Sequence, residues 1–108
     1  MMKQAKRLRL EKKGWRIGDA KELLQLTDEE VAYVELKLAL GDRLRSIRET
    51  KAVTQAEMAK LIGSSQSRVA KMESGDPSVS IDLLVKALLA LGATRKQIAG
   101  AMSSSRAA

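Results

Sequence analysis

The 108-residue chain contains no cysteine and no histidine. The first absence excludes disulfides, thiolate metal sites and cysteine nucleophiles, and the second removes the usual general base at neutral pH. Carboxylates, lysines, serines and Tyr33 are what remains for chemistry. The carboxylates stand where helix starts favour them, as at Asp28, Glu29 and Glu30. They form no catalytic constellation, so neither an enzyme nor a cofactor or metal site is expected. Phenylalanine is also missing, Trp15 and Tyr33 are the only aromatic residues, and Pro77 is the only proline. A core must therefore be built from Leu, Ile, Val, Met and Ala, a composition that favours an all-α fold. No apolar run is long enough to span a membrane, and the basic start Met1–Arg7 lacks the apolar centre of a secretory signal. These absences predict a soluble, cytoplasmic protein with no membrane partner.

The formal net charge is +7, which suits a polyanionic or acidic partner. The excess is uneven. Residues 1–26 hold eight Lys/Arg against three Asp/Glu, residues 27–53 hold five against six, and residues 54–108 hold seven against four. Most of the positive charge thus precedes the part of the chain that carries the most informative pattern.

That pattern is the stretch Thr54 to Gly75, which reads as two short helices around a glycine turn, a helix-turn-helix. Thr54 and Glu57 have the spacing of a capping box, and Met58, Leu61 and Ile62 are expected on one inward face. Gly63 supplies a left-handed end, and Ser64 or Ser65 supplies the oxygen that caps the next helix. In that second helix Val69 and Met72 are expected inward, leaving Gln66, Ser67, Arg68 and Lys71 outward. Gln pairs well with adenine in the major groove, and Arg or Lys with guanine.

The residues Leu44-Arg-Ser-Ile-Arg48, Thr54-Gln-Ala-Glu57, Ile62-Gly63, Ser65-Gln-Ser-Arg-Val69 and Glu73-Ser-Gly75 resemble the Cro/C1-type (xenobiotic-response-element) helix-turn-helix family over roughly residues 40–91. The resemblance implies a five-helix, lambda-repressor-like domain that reads double-stranded DNA. Gln66, Ser67 and Lys71 match base-reading positions, and Arg68 matches a position that varies in role. Gln55 and Ser65 match phosphate contacts, with Ser64 beside them. Arg48 and Glu73 match a structural ion pair. Thr54, Glu57, Ser64 and Ser65 are needed as caps whether or not DNA is bound.

Around this centre the chain divides into a basic, partly helical extension over 1–26, the DNA-binding domain over 27–103, and a frayed tail over 104–108. Thr27 and Glu30 form another capping box, opening a helix that runs to about Thr50. Leu40, Leu44 and Ile47 form its inward stripe, and Val31, Val34 and Leu38 a further stripe for the extension or another chain. Gly41 inside that helix costs about 1 kcal/mol relative to Ala and invites a kink. Ser80 caps a helix ended by Gly92, and Ser78 and Ser80 are candidates to hold a phosphate. Thr94 and Gln97 open a last helix, with Ile98, Ala101 and Met102 on one face.

A single unit of this kind reads few base pairs, so a homodimer on a near-palindromic operator is expected. Its interface uses either the Val31, Val34 and Leu38 stripe or the last helix. The segments Gly14–Glu22, Leu24–Glu30 and Asp76–Ser80 also resemble the HigA-type antitoxins, which accompany RelE/ParE-like ribonuclease toxins. That resemblance implies a toxin partner, for which Trp15, Ile17, Leu23 and Leu24 are the candidate apolar contacts. Trp15 and Ile17 equally suit a segment that only covers the domain. A stand-alone transcriptional regulator and a protein-bridging module of the same fold are the competing readings.

Overall fold

A computed structural model describes residues 24–103. Among them are five helices and no strand: α1 (Asp28–Thr50), α2 (Gln55–Ile62), α3 (Gln66–Glu73), α4 (Ile81–Ala90) and α5 (Arg95–Ser103). Trp15, Ile17, Leu23 and the tail from 104 onward lie outside the described residues.

Short polar side chains start all five helices. At α1 the Thr27 hydroxyl accepts the Glu30 N–H at 3.1 Å while the Glu30 carboxylate accepts the Thr27 N–H at 3.0 Å. The same reciprocal pair recurs at Thr54 with Glu57 and at Thr94 with Gln97. Ser65 and Ser80 cap α3 and α4 with single bonds from Arg68 N–H and Leu83 N–H. Each satisfies backbone donors that a short helix leaves open, which matters because helices of eight to ten residues are marginal alone. Tertiary packing supplies the rest.

The long α1 is the platform against which α3, α4 and α5 pack. Its Leu40 and Leu44 are fully buried among Met58, Val69, Met72, Leu84 and Leu88, as the inward stripe requires. The helix runs through Gly41 without interruption. A Cβ at this position would lie 2.7 Å from the Met72 carbonyl oxygen and 2.8 Å from that of Glu73. Glycine is there because the end of α3 rests directly on the α1 backbone.

Val34 and Leu38 form a small satellite cluster with Val31. Leu38 lies under the turn at Gly75, where φ is +68° and an added Cβ would come within 2.9 Å of the leucine side chain. Part of this stripe is thus covered by the domain's own turn.

Two inward assignments need correction. Leu61 is 57% exposed, whereas Met58 and Ala59 are buried. At roughly 100° per residue the inward direction of α2 falls between Met58, Ala59 and Ile62, which leaves Leu61 off to one side. Met102 is likewise exposed on α5, while Ile98 and Ala101 hold the buried face.

Candidate nucleic-acid interface

The turn between α2 and α3 is short and well determined by its sequence. Gly63 takes φ +66°, and the Ser64 N–H reaches back to the Ala59 carbonyl at 2.8 Å. Ser65 then caps α3, with Ser64 half-buried beside it. Val69 and Met72 on the inner face of α3 have no exposed surface, and Gln66, Ser67, Arg68 and Lys71 are all exposed on the outer face. One sealed face and one polar, cationic face on an eight-residue helix, set across a left-handed turn from a second eight-residue helix, decide the motif. It is a helix-turn-helix.

The family model described as a helix-turn-helix domain matches residues 39–106. The chain belongs to this family, of the Cro/C1 type, whose domains bind DNA. No curated protein matches the chain, and no solved structure does. Among the described residues no helix is long and apolar enough to cross a membrane, and no group of three or more His, Cys, Asp or Glu stands ready for a metal.

Behind the outer face, a polar network locks the helix-turn-helix to α1. Arg48 pairs with Glu73 through two hydrogen bonds, from its Nε to one carboxylate oxygen and from Nη2 to the other at 3.1 Å. Its Nη1 donates to the Val53 carbonyl at 2.8 Å. Both side chains are nearly sealed, at 11% and 5% exposure, so each charge depends on the other. The hydrogen bonds to Glu73 raise the Arg48 pKa above its ordinary value, outweighing the burial that opposes them. Gln55, at the first position of α2, also donates to Glu73, at 3.1 Å. This link was not legible in the sequence, because nothing local shows that α2 begins beside the end of α3.

The residues expected at phosphates divide by environment. Ser80 accepts from Leu83 N–H and keeps its own proton free of that bond. Ser78 is exposed on its loop, but its hydroxyl and its N–H both donate to the Asp76 carboxylate, at 2.7 and 2.9 Å. Partial burial pushes the Asp76 pKa up, but the two Ser78 hydrogen bonds and the charges of Lys71 and Lys37 outweigh it, and the net shift is downward. A Ser78 hydroxyl committed to a carboxylate is a weaker phosphate donor than Ser80.

Lys37 is the residue that sequence reasoning passed over. It is only 5% exposed, its Nζ donates to the Pro77 carbonyl at 3.3 Å and it lies 5.5 Å from the Tyr33 ring centre. The available signal was its position between Val34 and Leu38 on a buried helical stripe. Its role is to tie the loop that follows α3 back onto α1.

Proposed function

We propose that this protein is a sequence-specific transcriptional repressor that binds a near-palindromic operator as a homodimer. The observation that carries this reading is the outer face of α3. There Gln66, Arg68 and Lys71 stand exposed with no side-chain hydrogen bond among the described residues. Polar groups on one helical face that spend no hydrogen bond within the described residues are available to base edges, Gln66 for adenine and Lys71 or Arg68 for guanine, with Ser67 beside them. Ser64, Ser65 and Ser80, and Gln55 through the amide proton left over by its bond to Glu73, would take backbone phosphates, which position the helix without reading sequence. Two copies related by a twofold axis would place their α3 helices in successive major grooves about 34 Å apart.

The test is selection from a random duplex library followed by affinity measurement. Gln66→Ala should weaken binding to the selected operator by about 1–3 kcal/mol and leave non-specific binding nearly unchanged. An equal loss on every sequence overturns the base-reading role. No loss at all after changing both Gln66 and Ser67 supports a protein-bridging module instead.

A finer role, antitoxin of a type II module that represses its own operon, is supported by the resemblance of residues 14–30 and 76–80 alone. In that role Trp15, Ile17, Leu23 and Leu24 contact a RelE/ParE-like toxin. A tagged full-length protein should then co-purify with a stoichiometric small basic protein that a variant lacking residues 1–26 fails to retain. Wild-type toxin affinity after replacing all four residues with Ala would exclude that patch. A protein that emerges alone with its operator is a stand-alone regulator.

A further inference from the structure

Of the polar side chains on the outer face of α3, Ser67 alone makes a side-chain hydrogen bond among the described residues. Its Oγ lies 3.2 Å from Ser65 Oγ, and either hydroxyl is able to donate to the other. Ser65 Oγ is also the helix cap and accepts the Arg68 N–H at 3.2 Å. A serine hydroxyl has one proton and two lone pairs. With one lone pair committed to Arg68, Ser65 is left with one proton and one lone pair.

Where that proton goes decides what Ser67 can offer. If Ser65 donates to Ser67, the Ser67 proton is free to enter the groove, and Ser67 is a donor. If Ser65 donates outward, Ser67 must supply the shared proton and faces the groove with lone pairs only. A DNA phosphate at this position is a charged acceptor, and such bonds are roughly twice as strong as those between neutral groups. The positive end of the α3 dipole favours the anion further.

We propose that in the DNA complex Ser65 gives its proton to a backbone phosphate, Ser67 donates to Ser65, and Ser67 therefore reads its base as a hydrogen-bond acceptor. It selects an exocyclic amine, N6 of adenine or N4 of cytosine, over the carbonyl oxygen of guanine or thymine. Every base pair shows one amine and one carbonyl oxygen in the major groove, so the selection is one of strand orientation. This rests on the DNA-reading role proposed above and adds to it the polarity of one contact, set by a residue that touches no base.

The experiment is parallel operator selection from one random duplex library with the wild type, S65G, S65T and S67A. Glycine is an acceptable helix cap, so S65G keeps α3 while removing the hydroxyl, and S65T restores it. In the wild-type motif the position that S67A flattens should carry A or C over G or T by about fivefold, the worth of one net hydrogen bond. S65G should flatten that same position and leave those read by Gln66 and Lys71 sharp, and S65T should keep the preference. A G or T preference there, or an A or C preference that survives S65G, overturns the proposal while the DNA-reading role stands. If the wild type enriches no motif, the DNA-reading role fails and this inference fails with it.

Discussion

At the scale of single residues, burial separates positions that look alike in the sequence. Met58 and Leu61 are both apolar and three residues apart on α2, yet the first is sealed and the second more than half exposed. Met58→Ala should cost 2–5 kcal/mol and Leu61→Gln no more than about 0.5 kcal/mol, as read from urea unfolding midpoints at constant slope. Gly41 poses a sharper contrast. Helix propensity alone favours alanine by about 1 kcal/mol, but two backbone carbonyls of α3 stand where its Cβ would be, and backbone cannot yield as a flexible side chain does. Gly41→Ala is therefore expected to destabilise by about 1–3 kcal/mol. A gain in stability would mean that α3 does not rest on α1 as described.

At the scale of elements, the Arg48 and Glu73 pair joins α1 to α3, and Gln55 adds α2. Removing one partner leaves a nearly buried charge uncompensated, so Glu73→Ala should cost about 3–5 kcal/mol. Replacing both, as in Arg48→Met with Glu73→Leu, should recover much of that loss, because two well-packed apolar side chains carry no desolvation penalty. The double-mutant cycle in thermal unfolding checks both statements. Additive losses would show that the two charges act independently. The pair reads no base, so operator preference should survive in any variant that still folds. The Gly75 turn and Lys37 work at the same scale, since they hold the loop after α3 and thereby the start of α4.

At the scale of the whole molecule, stability should depend on pH through carboxylates. The Glu57 carboxylate is lowered by hydrogen bonding within the Thr54 capping box. Asp76 is also lowered on balance: partial burial acts against it, but the Ser78 hydrogen bonds prevail. A group whose folded pKa lies below its unfolded value contributes fully above the unfolded pKa, and its contribution disappears as pH falls through the folded one. Stability should thus be level near neutrality and fall only at and below the ordinary carboxylate range. Asp76→Asn should lower stability at pH 7 and flatten the acid limb of the curve, measured by unfolding from pH 7 to pH 2. An acid limb that keeps its full slope would show that Asp76 contributes little. Arg48, raised by its bonds to Glu73, stays charged throughout and adds nothing in this window.

The sequence by itself determined the local structure. Among the described residues the helix starts were readable in Thr27, Thr54, Ser80 and Thr94 and, to within the Ser64–Ser65 pair, at α3, and so were the left-handed end at Gly63 and the inward Val69 and Met72, because capping and helical periodicity involve residues within a few positions of one another. The outer face of α3 followed from the same periodicity. The pairing of Arg48 with Glu73 was legible only through a family resemblance, as the two stand 25 positions apart. Tertiary structure decided what depends on neighbours distant along the chain. Gly41 became a site of close approach, Leu61 and Met102 came to face outward, and Lys37 became a buried tie to Pro77. It also brought Gln55 to Glu73, the residue that pairs with Arg48. Each of these outcomes depends on the angle at which one helix crosses another, which is settled by how whole side chains pack and which no stretch of the sequence records.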